Sequence, residues 1–321
     1  MKYIYYEAID STNNELKRRL AGEVPTVGAS VGGFAEDRFV NAGDVRDRGS
    51  ECTGKSGFGD GRPAEFTVIS AGLQTAGRGR SGHDWISPPG VSIATSMILY
   101  PEELSVQRFP QLTIVAAMAV SEAVEEYCGL RTQIKWPNDI LVERKKICGI
   151  LTERIAEAVI IGIGVNVYPG SYPSELEARA TSLAEVMDAQ TSSPAEAMDT
   201  QACSLAEVKG NSLHFGRAGK PLQGRSLPGR KRLTEAIWEK FVTLYHAFRQ
   251  EQDLSFLSEA YNKRLVNAGA VVRIMNPAGS YEAVAVRMDE AGRLVVDRTD
   301  RGERCLVDSG EVHVRGLDGY V

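Results

Sequence analysis

The stretch QTAGRGRSGHDW, residues 74–85, decides how this sequence is interpreted. It places three glycines around two arginines and ends on Trp85, one of only three tryptophans among 321 residues. Glycine suits backbone that must pass close to a ligand, and arginine supplies donors that match carboxylates and phosphates. The stretch therefore predicts a pliable loop that holds an anion.

The regions on either side of this loop alternate between strand and helix patterns. Ser11 is expected to cap an amphipathic helix that runs to about Leu20. The other predicted helices cover about 107–128, 232–248 and 253–262. The predicted strands and hairpin are 2–8, 66–71, 91–99, TQIK, ILVERKKICGILTE and AEAVIIGIGVNV. Together they predict an α+β domain over residues 1–266.

Two stretches and the C-terminal end differ from this pattern. Residues 22–62 and 188–230 show little periodicity, and structureless loops of such length are unusual within a compact domain, so we expect insertions there. After residue 266 the chain turns to short alternating strands separated by NPAGS, DEAG and DRGE. This texture predicts a small β-barrel or sandwich module over residues 267–321.

Composition excludes several classes of function. The formal net charge of −5 argues against general nucleic-acid binding, which needs many basic residues. No apolar run reaches the roughly 20 residues of a membrane helix, and the N-terminus lacks the pattern of a secretory signal. Five cysteines without CxxC spacing fit reduced thiols better than a zinc or disulfide framework. We therefore expect a cytoplasmic protein without membrane, nucleic acid or fixed metal.

The segment KWPND, residues 135–139, is the second dense stretch. It sets a lysine, an aromatic ring and an amide within one turn, a combination that can hold a nucleotide. Taken alone, Asn138 and Asp139 are at least as well explained as caps of backbone groups in the turn. No common nucleophile, metalloprotease or phosphate-loop motif occurs, and GIGVN lacks the third glycine of a dinucleotide fingerprint.

In this order and combination the motifs resemble those of the biotin protein ligases. The matching segments are STN at 11–13, residues 74–85, SPPGVSIATSM at 87–97, KWPNDI at 135–140, KKICGIL at 145–151, GIGVNV at 162–167 and ATSL at 180–183. The resemblance implies a catalytic domain like that of class II aminoacyl-tRNA synthetases, with a mixed sheet and helices, followed by a small SH3-like β-barrel. It also implies a ligase that joins biotin to ATP as biotinyl-5′-AMP and then transfers biotin to a lysine of a biotin carboxyl carrier protein domain.

The resemblance assigns roles residue by residue, with biotin and ATP carrying Mg²⁺ as substrates. The catalytic cations would be Arg78, Arg80 and Lys146. The biotin-binding set would be Ser11, Thr12, Asn13, Gln74, Gly77, Arg78, Gly79, Arg80, Lys146, Gly149 and Gly164. The adenylate-binding set would be Arg80, Trp85, Lys135, Asn138, Asp139 and Asn166.

Three departures from the family pattern and several alternatives stay open. Ser81 and His83 thin out the positive charge common in this loop, and the two insertions are not expected of a minimal ligase. The third departure is that the chain begins at the catalytic strand, so the form expected is one without an N-terminal DNA-binding domain. Relatives are monomers or dimers, which leaves a homodimer open. The alternatives in function are a lipoate or octanoate ligase and a non-catalytic sensor of biotin or nucleotide.

Overall fold

The computed structural model describes residues 1–23, 29–31, 62–192, 227, 229–276, 279–309 and 313–316. Eight strands form a large sheet: β1 (Lys2–Ile9), β2 (Ala29–Val31), β3 (Thr67–Gln74), β4 (Ser92–Leu99), β5 (Gln133–Lys135), β6 (Asp139–Val142), β7 (Lys145–Ile155) and β8 (Ala158–Asn166). Their order is β2-β1-β3-β4-β8-β7-β6-β5. The β1–β3 pair is parallel and the other pairs are antiparallel, so the sheet is mixed.

Five α-helices accompany the sheet: α1 (Thr12–Leu20), α2 (Leu112–Cys128), α3 (Leu183–Ser192), α4 (Arg230–Glu251) and α5 (Ser255–Asn262). Helices α2 and α4 pack against each other on one face of the sheet, where α4 contacts β4 and α2 contacts β7 and β8. The opposite face carries α1. The sheet is therefore covered by the long helices α2 and α4 on one face and by the short helix α1 on the other.

Strand periodicity divides the side chains between these two faces. In β8, Ile161 and Val165 join the large core around α2 and α4, whereas Ile160 joins a smaller cluster beneath α1. Gly162 and Gly164 share the face of Ile160, because successive side chains along a strand point to opposite faces. The α1 face thus has no side chains at the centre of β8, which leaves space above the sheet.

Helix α1 is fixed over that space by a buried ion cluster. The Glu15 side chain is fully buried and accepts hydrogen bonds from Tyr6 Oη at 2.7 Å, Arg18 Nε at 3.0 Å and Arg19 Nε at 2.9 Å. A buried carboxylate needs such partners to offset its lost hydration. The cluster holds the beginning of α1 in one place relative to the sheet.

The strands and helices predicted from sequence are confirmed, with three differences. The predicted helix at 107–128 begins with a 3₁₀ segment, Val106–Gln111, which contains Pro110. Helix α3 was not predicted, although Ser182 and Glu185 form a reciprocal capping box, a sequence signal for the start of a helix. Strand β2 lies within the stretch expected to be a structureless insertion.

The two predicted insertions lie largely outside the described residues. Within 22–62, β2 pairs with β1 at the edge of the sheet. Within 188–230, the first residues belong to α3 and the last begins α4. These parts of the two stretches are therefore not structureless, because β2 pairs with β1 and α3 has its own cap. The remainder stays a prediction.

A second, antiparallel sheet follows α5: β9 (Val271–Asn276), β10 (Gly279–Met288), β11 (Leu294–Arg298), β12 (Arg304–Val307) and β13 (His313–Gly316). Its order β12-β11-β10-β9-β13 fits the expected small SH3-like module, although the boundary at residue 267 stays a prediction. Trp136 Nε1 donates to the Gly292 carbonyl at 3.0 Å, and Gln111 Nε2 donates to the Ala291 carbonyl at 2.8 Å. These bonds join the module to the large domain.

No helix in the described part of the chain is long and apolar enough to cross a membrane.

Candidate active site

A pocket opens on the α1 face of the large sheet, above the glycines of β7 and β8. Its walls come from the start of α1, the end of β3 and the loop after β3. Twelve of the residues predicted from the sequence line it: Ser11, Thr12, Asn13, Gln74, Arg78, Gly79, Arg80, Trp85, Asn138, Lys146, Gly149 and Gly164. Segments that lie up to about half the chain apart in sequence thus meet at one place.

One end of the pocket is a network of neutral polar groups. Thr12 donates its backbone N–H to Gln74 Oε1 at 2.9 Å, and the Thr12 hydroxyl lies 2.6 Å from Ser96 Oγ. Asn13 Nδ2 donates to Glu153 Oε2 at 2.7 Å. Because Oε1 of Gln74 is held by Thr12, its amide nitrogen is free to donate to a ligand. This end can recognise a group that has both N–H and C=O functions.

Ser11 occupies the N-cap position of α1, as its sequence suggested. Its backbone is extended (φ −158°), and the hydroxyl makes no capping hydrogen bond. The side chain is almost fully buried at the pocket wall instead. The expected side-chain cap was therefore wrong, and the hydroxyl remains available to the pocket.

The other end of the pocket is cationic. Lys146 Nζ forms an ion pair with Asp139 Oδ1 at 2.6 Å. Arg80 donates to Asn138 Oδ1 at 3.0 Å and to the Ser309 carbonyl of the C-terminal module at 2.9 Å. Burial lowers the pKa of Arg80, partly opposed by the Asp139 carboxylate, but an arginine stays protonated. This end can hold a carboxylate or phosphate group.

The loop between the two ends folds back on itself. Trp85 N donates to the Gly77 carbonyl at 2.9 Å, and Gly79 N donates to the His83 carbonyl at 2.6 Å. A Cβ at Gly77 would collide with the Trp85 carbonyl, so glycine is required for this close approach. Arg78 is exposed at the pocket mouth.

Trp85 lies over the glycine floor. A Cβ at Gly164 would overlap the indole ring, and one at Gly149 would lie 2.9 Å from it. Lys146 Nζ lies 5.6 Å from the ring centroid, within range of a cation–π interaction. The indole Nε1 is buried, and no acceptor for it is found among the residues that the structure describes.

Four predicted site residues do not line the pocket. Gly77 closes the loop and Asp139 holds Lys146, so both act from just behind the wall. Lys135 is buried in β5. Asn166 donates to the Thr181 carbonyl at 3.2 Å, which ties β8 to the ATSL segment. The roles of these residues toward a ligand stay predictions.

Sequence reasoning missed three residues that stand directly behind the polar end: Ser96, Glu153 and Lys17. Lys17 Nζ donates to Glu153 Oε1 at 2.7 Å, and Ser96 Oγ donates to Asn13 Oδ1 at 2.5 Å. Asn13 and Glu153 are 140 positions apart. No local pattern could join them, because their contact depends on the order of strands in the sheet.

The thiol of Cys148, which precedes Gly149 on β7, is not placed for nucleophilic attack in the pocket. Cys148 is fully buried on the opposite face of β7, and burial raises the pKa of its thiol well above the ordinary value. A thiolate is the reactive form, so this cysteine is inert. The polar and cationic groups that line the pocket can position reactants and neutralise charge.

Comparison with known proteins agrees with this geometry. Residues 61–166 match the model of the biotin/lipoate A/B protein ligase family. Over 128 residues the chain is 49% identical to the bifunctional ligase/repressor BirA of Bacillus subtilis, a match that spans only 39% of the length of that relative. The biotin–[acetyl-CoA-carboxylase] ligase of Mycobacterium tuberculosis is 26% identical over 79% of this chain and 82% of its own length.

Solved structures extend the similarity in fold over almost the whole chain. The biotin protein ligase from Aquifex aeolicus, solved in complex with biotin and ATP, superimposes with a TM-score of 0.65 over 98% of each chain at 22% identity. Over residues 61–166 the sequence is thus similar to the biotin/lipoate A/B protein ligase family, and over almost the whole chain the fold is similar to that of a biotin protein ligase.

Proposed function

We propose that this protein is an ATP-dependent biotin–protein ligase. The observation that carries the proposal is the pocket itself, whose neutral polar end and cationic end face one another across a glycine floor. Biotin has the same division, with a ureido ring at one end and a carboxylate at the other. The relatives of this protein from Bacillus subtilis and Mycobacterium tuberculosis are named as ligases, which supports the same activity here.

The polar end favours biotin over lipoate. The ureido ring offers N–H donors and a carbonyl acceptor, whereas the dithiolane ring of lipoate offers neither. A lipoyl group would offer the Gln74 amide nitrogen no acceptor in the pocket. A site built to bind hydrogen-bonding groups discriminates strongly against an analogue that lacks them.

The cationic end accounts for the first chemical step. An oxygen of the biotin carboxylate attacks the α-phosphorus of ATP, and pyrophosphate leaves with the electron pair of the broken P–O bond. Both reactants are anions, so cations must lie where they meet. The proposal gives this role to Lys146 and Arg78, which line the pocket, and the ion pair with Asp139 restrains the Lys146 ammonium.

In the second step the amine of an acceptor lysine attacks the carbonyl carbon of the adenylate, and AMP leaves. The amine loses a proton as the amide forms. The proposal assigns to Arg80 the retention of the adenylate phosphate until the acceptor arrives, and the bonds from its guanidinium to Asn138 and Ser309 support it by fixing that group at the pocket.

The substrates would be biotin and ATP, with Mg²⁺ carried by the nucleotide. The acceptor would be the biotin carboxyl carrier protein domain of a carboxylase. A cytoplasmic location, a homodimer and the absence of nucleic-acid binding stay predictions from the sequence.

The direct test is to incubate the protein with MgATP, biotin and a biotin carboxyl carrier domain and to detect product with avidin. We expect biotin on the carrier only when ATP is present, with Lys145→Ala as a control variant that keeps activity. A carrier that acquires lipoate but not biotin would replace this proposal with the lipoate alternative. Tight biotin binding without any transfer would favour the sensor.

A further inference from the structure

A line of hydrogen bonds runs behind the polar end of the pocket. It joins Lys17 to Glu153, Glu153 to Asn13, Asn13 to Ser96 and Ser96 to Thr12. The contributing elements are α1, β7 and β4. Of these residues only Thr12 and Asn13 line the pocket, so Lys17, Glu153 and Ser96 can act on a ligand only through them.

Glycine at position 162 makes this line possible. A Cβ there would collide with Asn13 Oδ1, and its register partners are Ser96 on β4 and Leu151 on β7. The Asn13 amide therefore lies directly on the backbone of β8, between Ser96 and Glu153. Its two ends are held by different partners at hydrogen-bond distance.

Counting hydrogens gives the line a direction. A carboxylate only accepts, so Glu153 requires the Asn13 amide nitrogen to face it and turns Asn13 Oδ1 toward Ser96. Ser96 must then donate its only hydrogen to Asn13. The Thr12 hydroxyl, 2.6 Å from Ser96 Oγ, donates in turn to Ser96 rather than across the longer 3.1 Å contact to Gln74.

The direction decides what Thr12 offers to the pocket. With its hydrogen committed to Ser96, the Thr12 oxygen presents only lone pairs to a ligand. Beside it Gln74 presents an amide N–H₂, because Oε1 of Gln74 is held by the Thr12 backbone. One acceptor next to one donor is the complement of a ureido N–H beside its carbonyl.

We infer that Glu153, held by Lys17, is a positioning residue that fixes the Thr12 hydroxyl as a hydrogen-bond acceptor for a ureido N–H, acting through Asn13 and Ser96. The inference rests on the proposed function for the identity of the ligand. It assigns the selection of a ureido ring to residues outside the pocket wall. The Glu153 carboxylate, which does not line the pocket, sets the direction of the hydrogen bonds that reach Thr12.

The substitution Glu153→Gln tests the direction with minimal change in size. The new side chain would accept from Lys17 through its oxygen and donate to Asn13 through its nitrogen. The Asn13 amide then turns over, Ser96 donates to Thr12, and the Thr12 hydrogen points away from Ser96. Thr12 becomes a donor facing an N–H donor of the ligand, which removes an attraction and adds a repulsion.

We expect Glu153→Gln to raise the biotin Kd and KM about tenfold, which corresponds to the upper end of the range for one hydrogen bond between neutral groups, with kcat and the KM for ATP unchanged. Glu157→Gln is the matched control, because Glu157 also forms an ion pair, with Arg62, and lies in the turn between β7 and β8. The control should bind biotin like the wild type. An unchanged biotin Kd in Glu153→Gln would overturn the inference.

A double-mutant cycle with Thr12→Val separates positioning from a structural role. Without a hydroxyl at Thr12 the polarity of the line no longer reaches the ligand, so Glu153→Gln should cause no further loss in that background. An equal loss in both backgrounds would refute the inference. Ser96→Ala provides a second entry to the cycle if Glu153→Gln fails to fold, because it interrupts the line between Asn13 and Thr12, with the same expected dependence on Thr12.

The wild type distinguishes the inference from the function on which it rests. If it binds lipoate in place of biotin, the proposed function fails and the ureido assignment falls with it. If it binds biotin and the variants behave like the wild type, only the positioning role fails.

Discussion

The two faces of the large sheet use the same strands for opposite purposes. On the α2 and α4 face, Ile161 and Val165 of β8 lie in a dry core. On the α1 face, one residue away along the same strand, Gly162 and Gly164 leave the backbone bare for Asn13 and Trp85 to approach. A period of two along the strand thus separates stability from ligand binding.

This division implies that a substitution on β7 or β8 acts mainly on ligand binding if its side chain faces α1, and mainly on stability if its side chain faces α2 and α4. The site face can afford glycines because the core face supplies the apolar burial that holds the strands. Four predictions follow the division from its strongest expected effect to its weakest.

Lys146→Ala should reduce the rate of adenylate formation by about 100-fold or more, because it removes a pocket cation that the proposal assigns to the reacting carboxylate and phosphate. Pyrophosphate release measures the step. Lys145→Ala is the matched control, since Lys145 is the exposed neighbour on the same hairpin. Equal rates in both variants would remove Lys146 from the catalytic set.

Gly164→Ala should weaken biotin binding about tenfold, because the added Cβ overlaps the Trp85 ring and forces it off the glycine floor. Tryptophan fluorescence should report the displaced ring, and calorimetry the affinity. A variant that binds biotin normally, with Trp85 fluorescence unchanged, would show that the ring has no fixed place on the floor.

Ile161→Val should lower the free energy of unfolding by ~1 kcal/mol through the loss of one buried methyl group. The biotin KM should not change, because Ile161 faces α2 and α4. Urea denaturation and initial rates measure the two quantities. A raised KM at unchanged stability would contradict the separation of the faces.

Glu125→Gln should affect only stability, and only above acidic pH. Burial raises the pKa of Glu125, but its bonds to Arg264 outweigh burial, so the net pKa is lowered. A lowered folded pKa contributes stability above the unfolded value of about 4.3, and this stability is lost as pH falls. The variant should therefore have a lower Tm than the wild type at pH 7, with a difference that shrinks toward pH 3. A constant difference in Tm across this range would exclude the ion pair as its cause.

Much of the site could be predicted from sequence because its residues lie in short segments with distinct chemistry. Glycine beside arginine, as in Gly77–Arg80, and lysine three residues before Gly149 are local signals. Ser96 and Glu153 gave no such signal: each alternates normally within a strand, and only the order β4-β8-β7 brings them to Asn13. Local pattern predicts what a segment can bind, while topology decides which distant residue orients it.

The loop at 74–85 shows the same limit. Its composition predicted an anion-binding loop, and Arg78 and Arg80 do line the cationic end of the pocket. The sequence did not predict that Arg80 would also reach the C-terminal module through the Ser309 carbonyl. That contact depends on how the large domain packs against the C-terminal module, which no local sequence pattern predicts.

The central claim is that the α1 face holds a ureido-bearing acid and joins it to AMP. Supplying the protein with MgATP and an equal mixture of biotin and lipoate, and identifying the acyl-adenylate by mass spectrometry, tests it most directly. Biotinyl-AMP as the dominant product is the expected result. Lipoyl-AMP in excess, or no acyl-adenylate from a protein that is folded and binds ATP, would contradict it.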